Sequence, residues 1–202
     1  MAARQNRRPP GPANQKNEET MARLPYLDQK DLSPENKELL ERPINLNRVL
    51  VNSPNCRRAG LKMAHFIRYQ SRLDPRMKEL AIMAIGWITR TPYEWSHHVI
   101  LAKDFGVSDD DIRELINYIE GRPHKLDSKV TLAVDAAREM TKDIAMSKKT
   151  FDALHEFLNN EEMVDLIVTI AHYNAMIRVL GTLEVDIEEH YAPGLTKFPL
   201  PA

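Results

Sequence analysis

From Ser33 onward the apolar positions of this chain recur at helical spacing. "MKELAIMAIGWI" (77–88) is apolar nearly all round, the pattern of a helix buried on every side. "VTLAVDAAREM" (130–140) carries a stripe of Leu132, Ala136 and Met140 with polar residues opposite. "FDALHEFL" (151–158) puts Phe151, Leu154, Phe157 and Leu158 on one face. "MVDLIVTIAHYNAMIRVLGTLEV" (163–185) is long and apolar, interrupted by His172, Asn174 and Arg178. No segment alternates over a strand's length, and no Asn-Gly or Asp-Gly hairpin signal occurs.

The punctuation agrees with helices. Ser33-Pro34, Ser53-Pro54, Asp74-Pro75 and Thr91-Pro92 each place an N-cap residue before a proline. Proline suits the first helical position, where its missing N–H leaves nothing unpaired. Further starts are expected at Ser108, ahead of an Asp run that suits the helix dipole, at Ser147, and near Asn160. "EGRPHKLD" (120–127) reads as a loop, and "YAPGLTKFPLPA" is too broken by proline to be helix throughout. The pattern predicts an all-α, single-domain helical fold of about eight helices.

Residues 1–20 differ: they hold three prolines and four basic side chains, with no Leu, Ile, Val or aromatic. Such a stretch lacks the apolar surface to order itself and reads as a disordered tail or start-site extension. The helical domain is expected over 21–202. The whole chain's 28 basic and 29 acidic residues nearly cancel, which gives no electrostatic reason to expect nucleic acid or an anionic membrane as partner. No run approaches the roughly 18 uninterrupted apolar residues of a membrane helix. The single cysteine, Cys56, cannot form a disulfide within the chain, so a reducing, cytoplasmic setting is expected.

The candidate chemistry lies in "TPYEWSHH" (91–98). Thr91-x-x-Glu94 matches a capping box, in which Glu94 reaches back to the Thr91 N–H. Alternatively Glu94 and His98, one turn apart on a helix that continues into apolar "VILA", are an acid–base pair needing a buried partner or a ligand. Glu79 is either a surface residue one turn after Asp74 or a second carboxylate facing the same cavity. His172, Asn174 and Arg178 suggest a polar pocket or subunit contact within an apolar helix. Metal ligation by Glu94, His97 and His98 is disfavoured, because adjacent histidines diverge by about 100° on a helix.

"RMKELAIMAIGWITRTPYEWSHHVILAKDFGVSDDDI" (76–112) resembles the carboxymuconolactone decarboxylase family, which includes the alkyl hydroperoxidase D-like proteins. The resemblance rests on Arg76-x-x-Glu79-Leu80, then Tyr93-Glu94-Trp95-x-x-His98, with Ala102, Gly106, Ser108 and Ile112 following. "MARLPYLD" and "YNAMIRVLGTLEV" are similar to the family's long variants. It implies an all-α fold assembled as a homotrimer or homohexamer, with the site near the start of the Glu94 helix.

Peroxidase members carry a Cys-x-x-Cys pair where this chain has Thr91 and Glu94. A dithiol mechanism is therefore not expected, and Cys56 lies elsewhere in the sequence. The resemblance then implies a cofactor-independent lyase or isomerase acting on a small cyclic carboxylate or lactone. Its catalytic residues would be Glu94, His98 and Glu79. Tyr93, Trp95, Trp87, His172, Asn174 and Arg178 would line the substrate pocket. No cofactor and no metal are expected. The alternatives are a non-catalytic binding or structural oligomer and a weak hydroperoxidase-like activity.

Overall fold

The computed structural model describes residues 22–201; the expected tail, Met21 and Ala202 lie outside the described residues. The chain folds as α1 (Asn45–Leu50), α2 (Pro54–His65), α3 (Pro75–Ile88), α4 (Pro92–Leu101), α5 (Asp109–Ile119), α6 (Ser128–Lys142), α7 (Lys148–His155), α8 (Asn160–Leu183) and α9 (Pro193–Lys197). Three 3-10 turns, Gln29–Asp31, Pro34–Leu40 and Ala102–Phe105, and one π-helical turn, Phe66–Gln70, complete it. No strand occurs among the described residues, so the fold is all-α.

Six of the seven expected α-helix starts fall where the sequence put them, Thr91-Pro92 at the head of α4 among them. The side chains of Asp74, Ser108, Ser147 and Asn159 accept backbone N–H bonds at the starts of α3, α5, α7 and α8. Ser53-Pro54 opens α2 without a side-chain bond. Ser33-Pro34 opens a 3-10 helix instead of an α-helix. In α7 the expected face is cut short: the helix ends at His155, so Phe157 and Leu158 follow it, and Phe151 is 37% exposed. In α6 the buried face is Val130, Ala133, Val134, Ala136 and Ala137, with Leu132 and Met140 only at its margin. Those small residues let α6 lie close against α3.

Helix α3 is the hub, touching α4, α5, α6 and α8, and every residue from Met77 to Trp87 is buried. Its all-round apolar surface can be satisfied only by neighbours on all sides. Helix α8 is long and apolar enough to cross a membrane by length and composition, with a third (33%) of its apolar window buried inside the fold. It packs against α3, α6 and α7, as the core helix of a bundle does.

Candidate active site

Helices α3 and α4 run antiparallel, joined by a tight turn in which Arg90 has φ 51°. Gly86 sets their approach: a Cβ there would lie 3.3 Å from the Trp95 backbone nitrogen and 3.6 Å from Glu94 Cγ. That close packing brings Glu79, near the start of α3, beside His98, near the end of α4.

The capping box at Thr91 does not form. Thr91 makes no side-chain cap bond, and its hydroxyl pairs with that of Thr89 at 2.9 Å. Glu94 turns along its own helix instead, placing Oε1 2.9 Å from His98 Nε2. The other ring nitrogen, Nδ1, is 2.7 Å from Glu79 Oε2. All three side chains are buried, with residue exposures of 3% for Glu79, 5% for Glu94 and 5% for His98. The Glu94–His98 contact is electrostatic, not an aligned hydrogen bond, and leaves Glu94 Oε1 a buried acceptor with no donor. Such a group is costly unless something else satisfies it.

Burial alone would push the His98 imidazole toward its neutral form. The carboxylates of Glu79 and Glu94 outweigh that and push it up to about 9. At neutral pH the ring holds its proton.

Glu94 and His98 open onto a cavity of about 330 Å³. That volume suits a small organic molecule. Tyr93, His97, His172 and Tyr173 also line it. Tyr173 meets the His98 ring edge-on, with centroids 5.2 Å apart. Burial pushes the Tyr173 phenol well above its ordinary value and the His172 imidazole below its own. Glu79 does not line the cavity; it acts on the site through His98.

Four of the expected pocket residues are placed elsewhere. Trp95 is fully buried, its indole N–H donating to the Phe198 carbonyl at 2.7 Å. Trp87 packs on it at 4.9 Å between centroids and donates to Glu120. Their size and helical spacing make them core, not pocket wall. Asn174 donates to Thr141 and to the Ile170 carbonyl, on the α6 side of α8. Arg178 is exposed and folds back on the Asn174 carbonyl.

His97 and His98 diverge, as adjacent helical residues must. His97 is stacked between Tyr93 and Tyr191, at 4.1 and 3.6 Å, and its Nε2 lies 2.6 Å from Glu188 Oε2. Burial holds His97 below its usual value. Burial also works against ionised Glu188, but the bonds from His97 and the Asn45 amide outweigh it and bring the carboxyl down to about 2. The neutral ring therefore donates to a carboxylate, tying the C-terminal segment to α4 and α1.

Cys56 is a correction. It is remote in sequence, yet α2 packs across the site and places it on the wall of the same cavity. Arg57 and Arg68 line the cavity from the same helix and the π-turn after it, and Arg42 from ahead of α1. The signal was present: Cys56, Gly60 and Ala64, with Arg57, Leu61 and Arg68, fall on one helical stripe.

Residues 56–139 match the family model described as the carboxymuconolactone decarboxylase family. Over that segment the chain is similar to the family. That segment contains Glu79, Glu94, His98, Cys56, Arg57 and Arg68, while Arg42, His172 and Tyr173 lie outside it. The fold is similar to the alkylhydroperoxidase AhpD core of an uncharacterized peroxidase-related protein from Ralstonia eutropha JMP134. The TM-score is 0.74 at 16% identity, over 86% of this chain and 95% of that one. A peroxidase-related protein from Silicibacter sp. TM1040 aligns with a TM-score of 0.69 at 16% identity, over 88% and 96%. The debrominase Bmp8, a cysteine-to-alanine variant in complex with 2,3,4-tribromopyrrole, aligns at 0.71 with 16% identity, over 90% and 99%. At such identity these likenesses establish the fold. No curated protein matches the chain.

Proposed function

We propose that this chain is an acid–base enzyme, a decarboxylating lyase or isomerase acting on a small cyclic carboxylate or lactone. The observation that carries the reading is His98 held between two buried carboxylates at the edge of a cavity, with Glu94 Oε1 lacking a donor. In a decarboxylation, the C–CO₂ bond breaks and its electron pair passes into the substrate's conjugated system. The carbon that becomes nucleophilic then takes a proton from the His98 imidazolium. In an isomerisation, Glu94 removes a proton and His98 returns one. Glu79 keeps the ring oriented and charged. Positioned proton transfer of this kind is worth about 10²–10⁴-fold. The exposed side of α8 fits the expectation of a homotrimer or homohexamer, which we carry as part of the proposal. The test is turnover of a panel of cyclic carboxylates and lactones: Glu94→Gln and His98→Ala should each lose about 10²-fold or more. Unchanged turnover in both variants refutes the assignment.

A second reading is favoured by one observation, the exposed Cys56 thiol on the cavity wall. A single thiol could reduce a hydroperoxide to its alcohol, keeping the other oxygen as a sulfenic acid; an external thiol then condenses with it, releasing water and leaving a mixed disulfide that a second external thiol reduces. Cys56→Ser would then abolish activity, whereas the acid–base reading predicts that it survives.

A further inference from the structure

The cavity has a cationic wall that no carboxylate among the described residues neutralises. Arg57 is 6% exposed, and its guanidinium Nε donates only to the Leu39 carbonyl, at 3.3 Å. Arg42 donates to the Tyr191 hydroxyl at 3.1 Å. Among the described residues, no carboxylate lies within ion-pair distance of Arg42, Arg57 or Arg68. Nearby arginines are paired: Arg58, next to Arg57 on α2, meets Glu38, and Arg76 meets Asp111 and Asp127. Among the described residues the one carboxylate that lines the cavity is Glu94, which is engaged with His98.

The wall is also built. The π-helical turn Phe66–Gln70 carries Arg68 on the cavity wall. Lys78, 2% exposed, reaches from α3 to donate to the Ile67 carbonyl of that turn at 2.6 Å. Burial, and then the nearby charge of Arg42, push the Arg57 guanidinium below its ordinary value. Like charges gathered in a half-dry wall are disfavoured unless an anion joins them. Guanidinium forks match a carboxylate's two oxygens.

We propose that Arg42, Arg57 and Arg68 form an anion subsite that takes the carboxylate of a small organic acid, whose apolar body fills the cavity toward His98. This rests on reading the cavity as a substrate site, and it names what the substrate must carry: an anionic group at the opposite end from the atom that exchanges a proton. Leu50, Leu61, Leu101 and Met176 supply the apolar lining for that body.

Cys56, the chain's one cysteine, reports on occupancy from the same wall. The test is the rate of Cys56 alkylation by iodoacetamide, an uncharged reagent, with benzoate, benzamide or inorganic phosphate present. Benzoate should slow alkylation and benzamide should not. Arg68→Gln should need at least about tenfold more benzoate for the same protection, with Tm unchanged, since Arg68 has no partner to lose. Arg57→Gln should behave likewise if it folds, and Arg68→Gln decides the matter if it does not. Protection by phosphate alone, equal protection by benzamide, protection unchanged in both arginine variants, or none in wild type overturns the proposal. The two readings fail separately: if only the acid–base reading is wrong, Glu94→Gln and His98→Gln leave turnover intact while benzoate still protects Cys56 through the arginines.

Discussion

Glu79 Oε2 lies 2.7 Å from His98 Nδ1, although the two residues are 19 positions apart. This contact spans α3 and α4 and fixes both the orientation and the charge of the ring. Removing the carboxylate charge should release it. In Glu79→Gln the His98 titration, followed by NMR, should fall from about 9 by at least about one unit. Glu79→Ala, which strands a buried imidazolium, should cost about 3–5 kcal/mol in chemical denaturation.

The same contact makes stability depend on alkaline pH. The folded His98 value, about 9, stands above its ordinary 6.5. Its contribution is therefore fully present below pH 6.5 and is lost as pH rises through about 9. Wild-type Tm should fall across that window, and Glu79→Gln should flatten the decline. Glu188 acts on the acid side. Its carboxyl, lowered from 4.5 to about 2, contributes above pH 4.5 and loses that contribution as pH falls through about 2. Glu188→Gln should weaken the acid limb of the stability profile and leave the alkaline limb alone.

Two glycines hold α4 in place, with unequal tolerance. A Cβ on Gly194 would sit 2.6 Å from the Ser96 carbonyl oxygen, so α9 would have to move off α4. Gly194→Ala should cost about 1–3 kcal/mol. At Gly86 the nearest atom would be 3.3 Å away, so Gly86→Ala should lower Tm less, while displacing Glu94 enough to change the His98 titration. Differential scanning calorimetry of the two variants checks the order.

Cys56 separates the two chemistries. It lines the cavity on the wall that carries Arg57, and takes no part in the Glu79–His98–Glu94 row. Cys56→Ser should keep acid–base turnover within about twofold, while a thiol-dependent reduction would disappear.

Helix type and the starts of α3, α5, α7 and α8 are legible in the sequence because caps and apolar spacing are local signals. The convergence of Glu79, Glu94 and His98 is legible only in part. The i, i+4 pair can be read within α4, but the Glu79 contact depends on how α3 and α4 pack at Gly86. The capping box at Thr91 is a local preference that is not realised, because Glu94 turns along α4 toward His98. Trp87 and Trp95 read as pocket aromatics because their residue type does not tell which face of a buried helix they occupy. α1 and the arginine wall escape notice for a different reason. α1 is short, and Arg42 comes from an irregular segment ahead of it, so only the tertiary fold brings Arg42 to the stripe that carries Arg57 and Arg68.

The central claim is that the Glu94–His98 end of the cavity moves protons on a bound organic acid. The most direct measurement is solvent deuterium exchange into cyclic carboxylates and lactones, followed by NMR, with wild type, Glu94→Gln and His98→Ala. The account predicts exchange in wild type that falls by about 10²-fold or more in both variants. Exchange that survives both substitutions, or that is absent from wild type across the panel, would contradict it.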